Sequence, residues 1–393
     1  MGTRFDKVIN RTGTYSTQWD FAEDRFGKND VLPFSISDMD FQSPNEILQV
    51  MDEYVKHGVF GYTRWNHSEY KSAITHWYKS RFAVNMPADW IVYSPSVIYS
   101  ISKLIEILTD ETDKVILQTP GYDAFFKQLN ASGREMIKNP LTYKNGSYSI
   151  DFNLLEKQLS HPKSKVMLFC NPHNPTGRVW SKQELKDVIN LCEKYQVKII
   201  SDDIHMDIVY PNHNYIPITS MTTNPDHVFI CTSASKTFNT PGLGGSYVFI
   251  PDGNIKDKFL TTIKQRDGLS SITIFGLLSI IEGYNYSAYW VDDLVDYLYG
   301  NMQVVSSFVK EQVPNVKFKM PESTYLAWMD CSDLKSSEEE IQNALVNVGN
   351  VGIMSGKVYH ENEGKFLRMN VGCPRSKLVD GLERLEKSIK TIE

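Results

Sequence analysis

The chain has 393 residues, of which 41% are hydrophobic and 12% aromatic; because single cores stop growing near roughly 250–300 residues, we expect two domains. The net charge is -6 and no basic block stands out, which argues against a nucleic-acid surface. The most apolar stretch, ITIFGLLSII, is about ten residues long and is too short to span a bilayer.

The cysteines and histidines show no pattern typical of a disulfide framework or a metal site. The nine histidines include no HExxH motif. The cysteines are widely spaced, without a CxxC pair, at Cys170, Cys192, Cys231, Cys331 and Cys373. We therefore predict reduced, mostly packed thiols in a cytoplasmic protein, and no bound metal.

Short apolar segments alternate with helical patterns through the middle of the chain. Near-continuous runs of Val, Ile, Leu and Phe are typical of strands covered on both faces, and they occupy 90–94, 114–118, 165–170, 198–204, 227–232 and 246–251. Helical patterns follow the first three runs, and Ser181 with Glu184 predicts a capping box at the start of the third helix. This alternation predicts an α/β fold with a mostly parallel sheet flanked by helices.

The sequence pattern changes near residue 285. Helical patterns then occupy 287–313, 336–348 and 375–391, with short apolar segments between them. We therefore predict a large domain over 46–285 and a smaller α+β domain over 286–393. Residues 1–45 have little regular pattern, and we expect them to pack on the small domain or on a partner subunit.

Residues that could bind a ligand follow the first two predicted strands, at the sheet edge where open α/β folds bind ligands. Val97 and Ile98 open a helix after the first strand, and free N–H groups at a helix start suit a phosphate. Tyr122 follows the second strand and places an aromatic ring at the crevice. An ordinary helix start and a packing tyrosine are the structural alternatives.

Later strands end in polar residues as well. The third is followed by NPHNPTGRVW, whose Asn-Pro and Thr-Gly steps fix a turn and leave amides free to donate. Asp202 and Asp203 end the fourth strand and should point to opposite sides, because strand side chains alternate. Two hydroxyls and a cation follow the fifth, at Ser233, Ser235 and Lys236. A structural loop and a solvated lysine are the alternatives.

Taken together, these strand ends supply what pyridoxal 5′-phosphate requires of a protein. The cofactor needs a lysine for its aldehyde, an acid for its ring nitrogen, an aromatic ring to stack on it, and donors for its phosphate. Each signal is weak alone, but they occur in order, each at a strand end. We therefore predict a pyridoxal-phosphate site.

The chain resembles the fold-type-I pyridoxal-phosphate enzymes, the aspartate aminotransferase superfamily, and most closely the cystathionine β-lyase branch of cysteine-S-conjugate (C–S) lyases. The resemblance runs nearly end to end. Its motifs are SISDMDF, FGYTRW, TPGYDAFF, CNPHNPTGRVW, SDDIHMDIVY, SASKTFNTPGLGGSYVFIP and LRMNVGCPR. The combination of NPxNPTG, SxSK and RxN is specific for the superfamily, whereas DMDF, NPHNP and DIH favour the lyase branch.

The resemblance implies roles for the residues around the cofactor ring. Lys236 would bond covalently to the aldehyde and, once released, take the substrate's Cα proton. Asp202 would bond the ring nitrogen, and Asn174 and His205 would approach the 3-oxygen. Tyr122 would stack on the ring, and with Lys236 it forms the expected catalytic pair.

The resemblance also implies how the phosphate and the substrate are held. The phosphate would be bound by Val97, Ile98, Ser233 and Ser235. Tyr62 matches a tyrosine that relatives lend to the phosphate across a dimer interface, which implies a homodimer with its active site at that interface. Arg368 would grip the substrate α-carboxylate as a planar bidentate partner, with Asn174 beside it.

The activity implied is α,β-elimination of a sulfur amino acid to pyruvate, ammonia and a thiol or hydrogen sulfide. Cystathionine, cysteine and S-conjugates are all candidate substrates, and the sequence does not choose between them. The same residues would also serve an aminotransferase, which is the first alternative. A non-catalytic, cofactor-binding regulatory module is the second.

Overall fold

Two large β-sheets, of seven and four strands, organise the chain in this computed structural model, which describes residues 3–360 and 365–393. Two further sheets of these residues have two strands each. The strands of these residues are β1 (Leu32–Pro33), β2 (Ile91–Ser94), β3 (Lys114–Thr119), β4 (Glu135–Pro140), β5 (Thr142–Lys144), β6 (Ser147–Ser149), β7 (Ser164–Cys170), β8 (Lys198–Asp202), β9 (Val228–Thr232), β10 (Ser246–Phe249), β11 (Lys317–Phe318), β12 (Leu326–Asp330), β13 (Val351–Gly352), β14 (Met354–Ser355) and β15 (Phe366–Asn370).

The helices connect these strands. They are α1 (Glu23–Phe26), α2 (Asn45–His57), α3 (Ser68–Phe82), α4 (Val97–Leu108), α5 (Asp123–Ser132), α6 (Phe152–Leu159), α7 (Lys182–Lys194), α8 (Ala234–Thr237), α9 (Gly253–Thr261), α10 (Ile274–Tyr286), α11 (Ala288–Gln312), α12 (Glu338–Ala344), α13 (Lys357–His360) and α14 (Arg375–Ile392). The capping box before α7 is confirmed: the Ser181 hydroxyl accepts from the Glu184 N–H at 3.2 Å, and the Glu184 carboxylate accepts from the Ser181 N–H at 2.8 Å.

The larger sheet has seven strands in the order β2-β10-β9-β8-β7-β3-β4. Only β10 runs against its neighbours in this sheet, and the other adjacent pairs are parallel. Every residue of β9 and nearly every residue of β7 is buried, which explains their continuous apolar sequences. The predicted α/β fold is therefore confirmed, and the carboxyl ends of β3, β7, β8 and β9 meet along one edge.

The smaller sheet is antiparallel, with the order β11-β12-β15-β14. The N-terminal segment lies against this C-terminal part of the chain: β1 pairs in parallel with β13, and Lys377 Nζ donates to the Asp40 carboxylate at 2.6 Å. The packing of residues 1–45 on the small domain or on a partner subunit stays a prediction. The domain boundaries after residues 45 and 285 stay predictions.

The structure differs from the sequence pattern at several element ends. β8 stops at Asp202 rather than at 204, because the chain turns there and the Ile204 N–H donates to the Asp202 side chain at 3.2 Å. The pattern does not predict β4, an edge strand whose sequence EMIKNP is largely accessible and has no apolar run. The helix expected over 336–348 divides into α12 and a π-helical turn, Leu345–Gly349.

The predicted packing of the thiols is confirmed, since all five cysteines are buried and unpaired. Across residues 3–360 and 365–393, none of the helices has the length and apolar character needed to cross a membrane. The same residues hold no group of three His, Cys, Asp or Glu side chains that could bind a metal ion.

Candidate active site

A cavity of about 780 Å³, including its open mouth, lies at the carboxyl ends of the large sheet. The residues that line it follow five different strands: Val97 and Ile98 after β2, Tyr122 after β3, Asn174 after β7, Asp202 and His205 at and after β8, and Ser233, Ser235 and Lys236 after β9. The structure thus brings together, within one chain, every residue predicted to contact the cofactor except Tyr62.

One end of the cavity is formed by the start of α4. The Ser96 hydroxyl caps this helix by accepting from the Tyr99 N–H at 3.1 Å. Val97 and Ile98 therefore occupy the first helical positions, where backbone N–H groups have no acceptor within the helix. These N–H groups and the helix dipole favour an anion at this end.

The loop after β9 forms the adjacent wall. The Ser233 hydroxyl accepts from the Ser235 N–H at 3.1 Å and donates to the Gly245 carbonyl at 2.8 Å. Ser233 therefore caps the short helix α8 as well as lining the cavity, and Ser235 lines the same cavity.

Lys236 extends from α8 to the N-terminal segment. Its Nζ donates to the Ser37 carbonyl at 2.5 Å and lies 3.4 Å from the Ser37 hydroxyl. Burial lowers the pKa of Lys236 to about 8, and the carboxylates of Asp38 and Asp202 oppose that shift. A substantial fraction of this amine is therefore neutral near physiological pH, as a nucleophile or base requires.

The two aspartates after Ile200 face opposite sides, as the strand alternation predicts. Asp202 faces the cavity, and burial raises its pKa to about 7 even though the Ile204 N–H and Lys236 act against the shift. Asp203 faces the core, where its carboxylate accepts hydrogen bonds from Ser201 and Tyr215. Only Asp202 is therefore available to a ligand.

Arg368 projects from β15 and is almost completely buried. Its Nη1 donates to the Asn174 side chain and its Nη2 to the Ser35 carbonyl, both at 3.1 Å. The guanidinium carbon lies 4.4 Å from the centre of the Tyr359 ring. The buried Nε has no partner among the described residues, and each Nη carries a second N–H, so the guanidinium retains donors for a ligand.

His205 and Tyr122 complete the polar and aromatic lining. Burial, with Lys236 and Arg368 nearby, lowers the pKa of His205 to about 3, so the ring is neutral. Its Nδ1 is buried without a partner in the part of the chain that the structure describes. Burial raises the pKa of Tyr122 above its usual value, so this phenol is neutral as well.

Tyr62 lies outside the cavity. Its side chain is fully exposed, and it is absent from the residues that line the cavity. A single chain therefore does not bring Tyr62 to the other predicted phosphate donors, and its role stays a prediction.

The structure adds residues to which sequence reasoning gave no role. Ser37 lines the cavity and accepts the hydrogen bond from Lys236, Ser96 caps α4, Tyr359 stacks on Arg368, and Tyr325 donates to the Ser37 carbonyl at 2.8 Å. The position of Ser96 immediately before a predicted helix is the one signal that could have identified an N-cap.

These residues fit pyridoxal phosphate. The start of α4 is suited to the phosphate, the Lys236 amine to the aldehyde, and the buried Asp202 carboxyl to a ring nitrogen that carries a proton. Two buried groups without partners among the described residues, Arg368 Nε and His205 Nδ1, are donors or acceptors that the protein alone leaves unused.

Comparisons with known proteins agree with this fit. Residues 29–385 match the family of class I and II aminotransferases. The chain is 39% identical to protein MalY of Escherichia coli over 99% of both chains, and 35% identical to the cystathionine beta-lyase PatB of Bacillus subtilis over 98% of this chain and 99% of that one. It superposes on cystalysin from Treponema denticola, whose crystal structure contains pyridoxal 5′-phosphate, with a TM-score of 0.94, 31% identity and full coverage of both chains.

Proposed function

This chain belongs to the family of class I and II aminotransferases, and from that premise we propose that it is a pyridoxal-phosphate-dependent carbon–sulfur β-lyase. It converts an S-substituted cysteine and water to pyruvate, ammonia and a thiol. The observation that carries the proposal is one cavity in which a buried amine, a buried carboxyl and a helix start converge. A buried arginine with an unpaired Nε is hydrogen-bonded to Asn174 of the cavity lining. The relative named cystathionine beta-lyase supports the choice of reaction.

Lys236 is the residue that handles the proton. When bound, pyridoxal phosphate supplies a ring that accepts the electron pair left at Cα after deprotonation. With its pKa lowered to about 8, the free Lys236 amine can take the Cα proton at neutral pH. Positioned proton transfer of this kind typically contributes about 10²–10⁴-fold to the rate.

Asp202 and His205 set the charge around the ring. A carboxyl whose pKa is raised to about 7 by burial ionises more readily once a cation lies beside it, and a protonated ring nitrogen is such a cation. His205 is neutral and therefore adds no second positive charge on its side of the cavity. Asn174 contributes an amide whose oxygen already accepts from Arg368.

Arg368 holds the substrate α-carboxylate. Its guanidinium is kept in place by Asn174, the Ser35 carbonyl and the Tyr359 ring, and its Nε remains available. A planar carboxylate suits a planar guanidinium in two parallel hydrogen bonds. This contact fixes the amino acid while leaving its sulfur substituent unconstrained by the same group.

The proposal is tested by supplying a sulfur amino acid without any keto acid. Purified protein loaded with pyridoxal phosphate is incubated with cystathionine, cysteine or an S-alkyl cysteine, and pyruvate and thiol are measured. Continuous release of both in equal amounts is expected for at least one substrate. Their relative rates identify the preferred sulfur amino acid.

An aminotransferase is the second candidate, favoured by the name of the matching family. Nothing about Lys236, Asp202 or Arg368 is incompatible with transamination, which returns the proton to the cofactor instead of expelling a thiolate. Without a keto acid, such an enzyme stops after one half-reaction and retains pyridoxamine phosphate. One equivalent of keto acid with no thiol would therefore contradict the lyase proposal.

We further propose a homodimer whose active site lies at the subunit interface. Tyr62 is fully exposed and is followed in the chain by Thr63, whose hydroxyl donates to the Ile272 carbonyl. Ile272 packs against Gly245, which lines the cavity. Val59 and Phe60, close to Tyr62 in the chain, expose apolar side chains, and exposed apolar surface favours a protein partner.

Mixed subunits test the dimer. Tyr62→Phe and Lys236→Ala proteins are unfolded together, refolded, and compared with each refolded alone. If Tyr62 acts in the partner's site, the mixture gains activity that neither parent has. No gain in a mixture shown by light scattering to be dimeric would contradict the shared site.

The buried, unpaired cysteines also support the proposal of a cytoplasmic location.

A further inference from the structure

The Ser37 carbonyl accepts hydrogen bonds from two different side chains. Lys236 Nζ donates to it at 2.5 Å and the Tyr325 hydroxyl at 2.8 Å. Tyr325 is completely buried, and its ring meets that of His205 edge-on, with 5.8 Å between the centroids. Tyr325 therefore contacts both a cavity residue and the acceptor that holds the lysine.

The Ser37 carbonyl is held in a fixed direction by its neighbours. The Asn370 side-chain amide donates to the carbonyls of Ile36 and Asp38, at 2.5 and 2.7 Å. The two peptides that flank the Ser37–Asp38 peptide are thereby anchored to β15. This carbonyl cannot turn to find another protein donor if one of its two partners leaves.

The backbone at Thr324 holds Tyr325 in this position at a conformational cost. Thr324 has a φ of +67°, which is strained for a β-branched residue. Its N–H donates to the Ile208 carbonyl at 2.9 Å, and its carbonyl accepts from the Tyr210 hydroxyl at 2.5 Å. Strain of this kind persists only where surrounding contacts enforce it.

Bonding to the cofactor changes what Lys236 can donate. An ammonium has three N–H bonds. Condensation with an aldehyde forms a carbon–nitrogen double bond and expels the aldehyde oxygen as water, which leaves at most one N–H on the nitrogen. The hydrogen bond from Lys236 to Ser37 therefore competes with the covalent link, whereas the bond from Tyr325 does not.

We infer that Tyr325 is a positioning residue that satisfies the Ser37 carbonyl when Lys236 leaves it for the cofactor. This inference rests on the proposed function, because it requires the aldehyde. In the apoprotein the carbonyl has two donors, and in the loaded protein it keeps Tyr325. Without the phenol, loading would leave a buried acceptor with no protein donor, which is unfavourable.

The test compares two ligands of the purified apoprotein in wild type and Tyr325→Phe. Pyridoxal phosphate requires Lys236 to leave Ser37, whereas 4′-deoxypyridoxine phosphate, which has a methyl group in place of the aldehyde, does not. We expect the affinity for pyridoxal phosphate to fall about tenfold in the variant and the affinity for the analogue to stay unchanged. Equilibrium dialysis measures both.

Tyr284→Phe is the matched control, because Tyr284 is buried and shares a 2.7 Å hydroxyl–hydroxyl hydrogen bond with Tyr247, away from Ser37. The Tyr284→Phe apoprotein should have a lower free energy of unfolding, but its affinities for the two ligands should not differ selectively from those of the wild type. An equal fall in the affinity of Tyr325→Phe for both ligands would overturn the inference. Unchanged affinity for both, because cavity water replaces the phenol, would overturn it as well. Failure of the wild type to bind pyridoxal phosphate would instead refute the proposed function itself.

Discussion

Lys236 and Asp202 have pKa values that move toward each other, to about 8 and about 7. Burial is the largest cause for both, because it disfavours the charged form of an amine and of a carboxyl alike. The charge of each group favours the charged form of the other, but this effect on the pKa is smaller than the effect of burial. At neutral pH both side chains therefore lie close to the point at which they gain or lose a proton.

Lys236→Ala should abolish turnover, since it removes both the covalent partner of the aldehyde and the proposed base. The base alone accounts for about 10²–10⁴-fold, so the total loss is expected to be larger. Borohydride reduction followed by peptide mapping should label Lys236 in the wild type and no residue in the variant. A label on another lysine would contradict the assignment.

The rate at which the apoprotein captures pyridoxal phosphate should depend on the pKa of Lys236. Only the neutral amine has an electron pair for the aldehyde, so the rate should rise with pH and level off above about 8. An ordinary lysine would keep gaining reactivity to about pH 10.4. Stopped-flow absorbance across this range measures the midpoint, and a midpoint near 10 would contradict the burial argument.

Arg368→Lys should impair substrate binding while leaving the cofactor in place. Lysine keeps the charge but loses the planar fork and the stacking on Tyr359. We expect kcat/KM to fall about 100-fold, mainly through KM, which is within the range for a disrupted buried charge pair. Steady-state kinetics measure this effect, and an unchanged cofactor absorption spectrum is the control.

At the scale of elements, the site is built from the starts of helices and the loops that follow parallel strands. The first turn of α4 and the short helix α8 both begin with a serine whose side chain accepts a backbone N–H. These caps do two things: they end the preceding loop at a defined residue, and they direct the remaining N–H groups toward the cavity.

Ser96→Ala tests the cap of α4. Loss of the hydrogen bond to the Tyr99 N–H should lower the free energy of unfolding by about 1 kcal/mol, which urea denaturation of the apoprotein measures. If the helix start binds the phosphate, affinity for pyridoxal phosphate should fall more than affinity for pyridoxal. Equal losses for both ligands would argue against a phosphate at this position.

Sequence patterns predict these elements well where local chemistry determines them. The apolar runs of β3, β7 and β9 and the capping box of α7 depend on burial and on near neighbours. β4 escapes prediction because an edge strand needs no apolar run. The roles of Ser37 and Tyr325 could not be predicted for a different reason. Ser37 contacts Lys236 and Tyr325, which lie 199 and 288 positions away in the chain, and no local sequence pattern encodes such contacts.

At the scale of the whole molecule, the N-terminal segment connects the two sheets. Residues 35–38 receive hydrogen bonds from Arg368 and Asn370 on β15 and from Lys236 on α8. The segment is itself fixed by the pairing of β1 with β13. The relative position of the lysine and the arginine therefore depends on a stretch of chain that belongs to neither sheet's core.

Gly381→Ala should loosen this segment. In an ordinary helix interior the change to alanine would stabilise by about 1 kcal/mol, but here the new Cβ would lie 2.3 Å from the Phe34 ring. Overpacking typically costs about 1–3 kcal/mol, so net destabilisation is expected in urea unfolding, with faster proteolysis near residue 34. Gly253→Ala, where a Cβ meets nothing within 4 Å, is the control and should show neither effect.

The pairing of β1 with β13 also sets when this protein can become active during its synthesis. A ribosome delivers the N-terminal residues first, and domains generally fold as they emerge. Yet residues 32 and 33 must wait for 351 and 352 before they can pair, and Arg368 is translated later still. The large sheet can assemble on the nascent chain, but the lysine meets its complete surroundings only once Arg368 has been translated.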